Sequence, residues 1–283
     1  MVRKKKIVIA SVAKNVKATF KLDYSRVLKA FTDFEIVKWI IVESNSQDDS
    51  FSFMKKTSLT ESFLKVETIT VNSENSQSRT QILAEARNRY LQLFYELPER
   101  NEIDYLVVYD LNNLNKKLTQ KAIYSCWEFD GWGATTANQI GPYYDIWALR
   151  HKFWNNVDCW ESHREMSEVL GSSKLALWNS VYSKMIRIPR KGNWIKVDSA
   201  FGGVAIYDTK YIKDCVYLGT SSTGNQICEH ISFNKGISNN GGEIFINPSF
   251  INFRFTDHNL RRFYYLFWNF PKIIRNLVTG RSS

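Results

Sequence analysis

A run of hydrophobic residues ends in two side chains that suit a divalent cation. The segment from Asp104 to Asn113 reads Asp-Tyr-Leu-Val-Val-Tyr-Asp-Leu-Asn-Asn, with Asp110 and Asn112 two positions apart. In an extended chain, residues i and i+2 project from the same face, so both side chains can reach one ion. Mg²⁺ or Mn²⁺ bound there keeps coordination sites open for phosphate oxygens. A turn in which Asp110 is only structural is the alternative.

Polar side chains also follow an earlier predicted strand and lie on the helix between the two strands. The strand Val37–Val42 is followed by Glu-Ser-Asn-Ser-Gln-Asp at residues 43–48, and the helix carries Arg87 beside Asn88. A guanidinium group matches the geometry of phosphate oxygens, so Arg87 is the cation that we expect to bind a diphosphate. An ion pair on the helix surface, with Glu85 or another acid, is the alternative.

Strands and helices alternate in the first half of the chain. Apolar residues at helical spacing predict helices at Tyr24–Phe34 and Thr80–Leu97. Short β-branched or aromatic runs predict strands at Lys6–Val12, Val37–Val42, Phe63–Val71 and Tyr105–Tyr109. This alternation predicts an α/β fold with a mostly parallel sheet, in which ligands bind beyond the carboxyl ends of strands. In the second half of the chain, the sequence predicts long loops around 131–145, 171–200 and 219–242. Such loops over a rigid sheet usually shape a substrate site.

The order of a strand, a polar loop, an Ala-Arg-Asn helix and a strand ending in Asp-x-Asn resembles the nucleotide-sugar half of GT-A glycosyltransferases. The resemblance covers residues 6–113. It implies a Rossmann-like GT-A sheet flanked by helices, with the nucleoside held by the loops after the first two strands. It also implies that the helix lies near the diphosphate and that the Asp motif binds the metal. The expected donor-binding residues are Ser11, Ala13, Asn15, Glu43, Ser46, Asp48, Arg87, Asn88, Asp110, Gly202 and Gly203.

A second set of segments is similar to the fungal capsular α-1,3-mannosyltransferase family and its bacterial relatives in surface-polysaccharide synthesis. The segments are residues 127–133, 137–139, 143–150, 201–207 and 228–230. The similarity implies transfer of a hexose, with a mannose-like sugar favoured, from a GDP- or UDP-sugar to a saccharide or lipid-linked saccharide. It also implies Mn²⁺ or Mg²⁺ and favours retention, with an α-linked product. Asn112 departs from the second acid of the family motif, and an amide oxygen ligates without charge.

Three carboxylates are candidates for catalysis, namely Glu229, Asp198 and Asp145. Glu229 or Asp198 would serve as general base if the anomeric centre inverts, and Asp145 would contact the donor sugar or the acceptor. Glu229 also suits an internal structural carboxylate, and Asp145 suits the cap of a helix that begins at Ile146. His230 is a candidate third metal ligand or diphosphate contact, with a structural histidine as the alternative.

Two further features have a structural and a functional interpretation. Gly202 and Gly203 allow a sugar to approach the backbone closely, although a glycine pair also serves a tight bend. We expect Arg150 to pair with an internal acid rather than with phosphate.

The end of the chain combines cations with aromatic rings. Residues 254–283 hold six Lys or Arg and one Asp, and six aromatic residues lie within 263–270. Such a composition suits the surface of an anionic membrane, and a helix packed on the catalytic domain is the alternative. We therefore predict a single GT-A catalytic domain at 1–253, with a nucleotide-sugar half at 1–115 and an acceptor half at 116–253, followed by a basic aromatic helical tail at 254–283.

Composition and charge weigh against other classes of protein. The net charge of +10 from 38 Lys or Arg and 28 Asp or Glu admits a basic nucleic-acid-binding protein. The cations outside the tail, however, are scattered among acids, and no nucleic-acid module is recognisable, so we expect no nucleic-acid partner. A sugar-phosphate nucleotidyltransferase is the other alternative. Its first strand is followed by a glycine-rich phosphate loop, whereas residues 10–15 read Ala-Ser-Val-Ala-Lys-Asn.

The chain shows no sign of a membrane span. No stretch approaches the roughly 20 apolar residues that a spanning helix needs. The four cysteines are far apart and show no disulfide-like or zinc-binding spacing, which favours a reducing compartment. We therefore expect a cytoplasmic protein, which the tail would hold at the membrane surface unless it packs on the catalytic domain.

Overall fold

The computed structural model describes residues 4–70, 78–269 and 275. Within these residues, eight strands form one sheet in the order β3-β2-β1-β4-β7-β5-β8-β6. The strands are β1 Lys6–Ala13, β2 Glu35–Ser44, β3 Leu64–Ile69, β4 Tyr105–Tyr109, β5 Trp132–Gln139, β6 Ile195–Val197, β7 Val204–Asp208 and β8 Glu243–Phe253. The helices are α1 Phe20–Ala30, α2 Ser50–Ser58, α3 Arg79–Tyr95, α4 Gln120–Tyr124, α5 Cys159–Leu170, α6 Ser173–Leu177, α7 His230–Asn239 and α8 Asp257–Tyr264.

The sheet is parallel on one side and mixed on the other. Strand β1 pairs in parallel with β2 and β4, β2 with β3, and β5 with β8. Strand β7 runs antiparallel to both β4 and β5, and β6 runs antiparallel to β8. This confirms the predicted α/β class with a mostly parallel sheet flanked by helices. Because β1, β2 and β4 are parallel, their carboxyl ends meet at one edge of the sheet.

The central strand β1 is covered on both faces. Val8 and Ala10 belong to the core that α3 covers, while Ile7 and Ile9 belong to the core on the opposite face, with α1. All four residues are fully buried. A strand buried on both sides reads as an unbroken hydrophobic run, which is why the sequence identified it.

The four predicted strands of the first half correspond to β1–β4, and the two predicted helices correspond to α1 and α3. Helix α3 begins with a capping box, in which the Ser78 hydroxyl accepts from the Gln81 N–H and the Gln81 side chain accepts from the Ser78 N–H. Val71, at the end of the predicted third strand, lies outside the described residues.

The predicted loop at 131–145 is wrong over most of its length, because β5 is a fully buried strand. Its sequence, Trp-Gly-Ala-Thr-Thr-Ala-Asn-Gln, lacks the hydrophobic alternation that marks a strand. Two of its buried polar side chains find hydrogen-bond partners. The Asn138 amide donates to the Ile188 and Pro248 carbonyls, and the Thr136 hydroxyl donates to the Phe245 carbonyl.

The other two predicted loops are also partly wrong. The segment 219–242 contains helix α7, and the segment 171–200 contains α6 and β6. Helix α7 reads His-Ile-Ser-Phe-Asn-Lys-Gly-Ile-Ser-Asn, and its Ser, Asn and Gly residues are poor helix formers. Tertiary packing stabilises it instead, since Phe233 and Ile237 are fully buried.

The C-terminal segment contains the helix that the sequence predicts. Helix α8 begins with a capping box formed by Thr256 and Asn259. The tail residues 270–274 and 276–283 lie outside the described residues. Among the residues that the structure describes, no helix combines the length and the apolar character that crossing a bilayer requires.

Gly219 generates a test of the packing at the start of α3. A Cβ atom on Gly219 would lie 2.3 Å from the Thr80 carbonyl carbon and oxygen, and the Thr80 hydroxyl donates to the Gly219 carbonyl at 2.7 Å. We expect Gly219→Ala to force these backbones apart and to lower the melting temperature strongly. Gly224→Ala is the control. A Cβ atom on Gly224 would have no neighbour within 4 Å, so its φ of +80° is the only source of strain. This substitution should cost about 1 kcal/mol. Equal melting temperatures for the two variants would contradict this packing.

Candidate functional site

A large cleft opens at the carboxyl ends of β1 and β4. Its volume is about 1150 Å³, and its walls come from the β1 and β2 ends, the segment after β4, the start of α7 and the segment 253–258. Eight of the predicted site residues line it, namely Ala13, Asn15, Arg87, Asp110, Asn112, Asp145, Glu229 and His230. Residues 254–258, which we placed in the tail, line it as well.

Arg87 joins two carboxylates at the base of the cleft. Its Nη2 lies 3.2 Å from Asp110 Oδ1, and its Nε donates to Glu229 Oε1 at 3.0 Å. The Arg87 side chain is 3% exposed. Arg87 is therefore buried and does not form the surface ion pair that was the alternative. Arg87 neutralises and orients two acids from β4 and α7, which leaves it poorly placed as a free diphosphate ligand.

Aromatic groups hold the Arg87 guanidinium in place. Its carbon lies 5.4 Å from the centre of the Phe201 ring and 5.7 Å from that of Tyr217. Burial opposes the charge, but Tyr90, Glu229 and Asp110 outweigh it and raise the pKa of Arg87 above its ordinary value. The group is therefore a permanent cation within the protein.

The backbone around Asp110 is held by a network of buried amides. The Asp110 N–H donates to the Gly203 carbonyl at 3.0 Å, and the Asn115 amide donates to the Asp110 and Gly203 carbonyls. The Asn252 amide donates to Asn115 Oδ1 and to the Gly202 carbonyl, each at 2.7 Å. Strands β4, β7 and β8 are thus tied together directly beneath Asp110.

A buried acid fixes the loop that follows Asp110. Asp23 Oδ1 accepts from the Tyr109 hydroxyl at 2.8 Å, and Asp23 Oδ2 accepts from the Asn113 N–H at 2.8 Å. Arg26 pairs with Asp23 and also donates to Asn113 Oδ1. Asn113 has a φ of 55°. Helix α1 therefore holds the turn in which Asn112 lies.

The glycine pair forms a tight bend that supports the site without lining the cleft. Gly202 and Gly203 have φ values of +75° and +92°, and a Cβ on Gly202 would lie 2.7 Å from the Ala137 carbonyl oxygen. The two glycines do not line the cleft. Their tight bend instead places the Gly202 N–H 2.9 Å from Asp145 Oδ2, to which it donates. The glycines thus position acids rather than contacting a sugar themselves.

Asp145 has a perturbed protonation equilibrium. Burial raises its pKa to about 6, the Gly202 N–H opposes this, and the negative charge of Asp110 adds to it. No helix follows Asp145, so the capping role that we considered does not apply. Arg150 pairs with Asp158 at 2.8 Å, which confirms the expected internal partner.

The loops after β1 and β2 hold each other. The Asn15 N–H donates to Ser46 Oγ at 3.0 Å, and the Gln47 N–H donates to Asn15 Oδ1 at 2.8 Å. Glu43 accepts from the Ser46 N–H and from the Thr68 hydroxyl, each at 2.6 Å. Ala13 and Asn15 line the cleft, whereas Glu43 and Ser46 support them from behind.

Four other predicted residues have structural partners away from the cleft. Ser11 is fully buried and accepts from the Trp39 indole, while Asp48 accepts from the Lys17 and Ser50 N–H groups. The Asn88 side chain exchanges two hydrogen bonds with the Tyr217 backbone. Asp198 is exposed at the end of β6, and its N–H donates to the Arg150 carbonyl. None of these four lines the cleft.

Of the two histidines that line the cleft, the sequence singled out only His230. That residue is 3% exposed and stacks on Phe201, with ring centres 3.8 Å apart. The second, His258, stacks on Tyr144 at the mouth of the cleft, and burial lowers its pKa. Within the described residues, no three His, Cys, Asp or Glu side chains form a metal-binding group. Asp110, Asn112 and His258 nevertheless line one cleft and offer a carboxylate, an amide and a neutral imidazole.

Other residues of the site carry no local sequence signal. Asp23, Asn115 and Asn252 act through partners 50 to 137 positions away. The cationic side chains that line the cleft are Lys14, Arg79, Lys116, Lys117 and Arg254, apart from Arg87. The sequence analysis singled out none of these five cations as a candidate for the site.

Comparison with known proteins identifies the fold. No family model matches the chain, and no curated protein matches it. A mannosyltransferase from Pyrobaculum calidifontis, solved in complex with GDP-Man and Mn²⁺, is similar over 97% of this chain and 65% of its own, with a TM-score of 0.50 and 14% identity. TarS of S. aureus is similar over 92% of this chain and 62% of its own, with a TM-score of 0.47 and 13% identity. The chain thus spans less than two thirds of either, and it has the GT-A fold.

The buried ion pairs of Arg87 generate a stability test. Arg87→Met leaves Asp110 and Glu229 without their cation, and breaking such a buried pair costs about 3–5 kcal/mol. Chemical denaturation should show a loss of this size, and Glu229→Gln added to Arg87→Met should recover part of it. Arg89→Met is the matched control, since Arg89 lies on the same helix and pairs with Glu67 near the surface. That change should cost under about 1 kcal/mol. Similar losses for both arginines would contradict the bridging role.

Proposed function

We propose that this protein transfers a hexose from a nucleoside diphosphate sugar to a saccharide acceptor. The observation that carries the proposal is the convergence of Asp110 and Glu229 on the single buried Arg87, at the base of a cleft whose wall includes the loop after β1. GT-A enzymes need a place for the nucleoside, a place for the diphosphate and a carboxylate near the reacting sugar. The cleft offers groups for each of these three tasks.

The diphosphate end of the cleft is cationic. Arg79, Lys116 and Arg254 line the same cleft as Asp110, and the charge of Arg79 acts on Asp110. In a sugar transfer, negative charge develops on the leaving diphosphate, and preorganised cations stabilise it most in that state. We assign this task to these exposed cations rather than to Arg87, whose donors already serve two carboxylates.

Asp110, Asn112 and His258 would hold a divalent cation such as Mn²⁺. Their oxygen-rich donor set suits Mn²⁺ or Mg²⁺, and the lowered pKa of His258 keeps its ring neutral and able to ligate. A cation bound there supplies positive charge to the phosphate oxygens of the donor. The neighbour with GDP-Man and Mn²⁺ supports a divalent cation and a mannose-like donor. His258 replaces His230 as the proposed histidine ligand.

Two carboxylates remain for the reacting groups. Arg87 donates to Oε1 of Glu229, which leaves Oε2 to face an acceptor hydroxyl or the anomeric centre. Asp145, with a pKa of about 6, lines the same cleft. We propose Glu229 as the carboxylate at the reaction centre and Asp145 as a contact to the sugar. Asp198 has no part in the proposal, because it lies outside the cleft.

A ligand-binding screen tests the proposed donor site. We expect GDP or UDP with Mn²⁺ to raise the melting temperature, since a ligand at 100 times its dissociation constant adds about 2.7 kcal/mol. Asp110→Asn should abolish the part of the shift that depends on Mn²⁺. Asp130→Asn is the control, because Asp130 is exposed and does not line the cleft. If no nucleoside diphosphate stabilised the wild type, the proposed function would be wrong.

We also propose that helix α8 brings the cleft to an anionic membrane surface, on its cytoplasmic face, where a lipid-linked saccharide would be the acceptor. The Arg262 Nε donates to the Tyr182 carbonyl, and the Tyr265 ring packs on Tyr182. These contacts hold one side of the helix on the domain. The other side presents large apolar groups, with Leu260 60% and Tyr264 61% exposed. The net charge of +5 for residues 254–283 complements anionic lipid.

Cosedimentation with vesicles tests this surface. Changing Leu260, Tyr264 and Phe267 together to Ser should weaken binding to phosphatidylglycerol vesicles at least tenfold. A tenfold loss needs only about 1.4 kcal/mol, and full burial of one such side chain contributes about 1.5–3 kcal/mol. Binding of the wild type should also fall with salt. Phe153→Ser is the control, since Phe153 is 85% exposed on another segment. If the wild type did not cosediment with anionic vesicles, the membrane role would be ruled out. The proposal for the donor site would be unaffected.

A further inference from the structure

The His230 ring is held rigidly at the base of the cleft. It stacks on Phe201 at 3.8 Å between ring centres, and the Tyr217 ring meets it edge-on at 5.7 Å. His230 begins helix α7 directly after Glu229, so the imidazole lies beside the carboxylate that we place at the reaction centre. Its Nε2 is 3.8 Å from Glu229 Oε1, which is too long for a hydrogen bond.

Both nitrogens of this ring are buried, and neither has a hydrogen-bond partner within the described part of the chain. Buried polar atoms are satisfied in the great majority of cases, and the exceptions need an explanation. The residue lines the cleft, so the ring lies next to the space that a ligand would occupy. Two unsatisfied nitrogens on a ring that lines a cleft therefore call for a partner that the described residues do not supply.

The charge around His230 selects the kind of group that it binds. Burial, and then the positive charge of Arg87, lower its pKa well below the ordinary value, so the ring is neutral. A metal ion at the ring would lie near the Arg87 cation, and a neutral ring gives a phosphate no countercharge. A neutral imidazole has one donor and one acceptor nitrogen, and either can bond a hydroxyl group, which both donates and accepts.

We propose that His230 binds a hydroxyl group of the sugar that is transferred, an assignment that rests on the proposed function. Glu229 and Asp145, which line the same cleft, add carboxylate acceptors for the neighbouring hydroxyls. His230 is thus a sugar-recognition residue, in place of the metal or diphosphate contact that the sequence suggested. An ordered water molecule is the competing occupant of this position.

The test compares the affinities for a nucleoside diphosphate and for the matching nucleotide sugar. We would measure GDP against GDP-mannose and UDP against UDP-GlcNAc by calorimetry in the presence of Mn²⁺. His230→Phe keeps the stacked ring and removes both nitrogens. It should reduce the affinity for the nucleotide sugar about three- to tenfold and leave the affinity for the diphosphate within about twofold. His230→Gln, which retains a donor and an acceptor, should lose less than His230→Phe.

Two further measurements separate recognition from a structural role. The melting temperature of unliganded His230→Phe should equal or exceed that of the wild type, because the variant buries no unsatisfied nitrogen. His163→Phe is the matched control, since His163 lies on α5 outside the cleft and contacts Ser173. It should change neither affinity.

Several outcomes would overturn the assignment. An unchanged affinity of His230→Phe for the nucleotide sugar would mean that only water occupies the position. An equal loss for the diphosphate, or a lower melting temperature, would mean that the ring serves the diphosphate site or the fold. If the wild type bound the nucleotide sugar no more tightly than the diphosphate, the assignment would be refuted, while the proposed donor site would remain supported. Binding of neither ligand would refute both proposals.

Discussion

A single buried guanidinium group organises the site. Arg87 comes from α3, and its two acidic partners come from the end of β4 and the start of α7. Charges buried away from water are stable only when paired, so none of the three elements can shift without leaving one unpaired. The stacking of Phe201 and Tyr217 around Arg87 restricts it further. The positions of Asp110 and Glu229, on which the proposed chemistry depends, follow from this constraint.

A second layer of polar contacts supports the first. Asn115 and Asn252 are fully buried, and their amides satisfy carbonyls at the bend formed by Gly202 and Gly203. The bend requires positive φ values, which only glycine adopts at little cost. The same turn presents the Gly202 N–H to Asp145. The base of the cleft is therefore preorganised, and the walls from the segment after β4 and from 253–258 carry most of the cations.

Much of the fold could be predicted from local patterns, and the exceptions share a physical cause. Strands β1 and β2 are recognisable as hydrophobic runs. Helix α3 is recognisable by its apolar periodicity, and the Ser78–Gln81 capping box is a further local feature at its start. Strand β5 and helix α7 are not recognisable in this way. Contacts elsewhere in the fold stabilise them instead, since the Pro248 carbonyl accepts from Asn138 in β5 and Phe233 and Ile237 of α7 are fully buried.

The sequence by itself determined the fold class and the candidate Asp110, because a strand-end acid is a local feature. Asp145 and Glu229 were candidates because they lie in segments that resemble a known family. Only the tertiary structure decided that Arg87 bridges acids, that Asp198 lies outside the cleft and that His258 joins His230 in lining it. The reason is distance along the chain. The Arg87 hydrogen bond to Glu229 spans 142 positions, and no local pattern specifies which charges meet when a sheet brings its strand ends together.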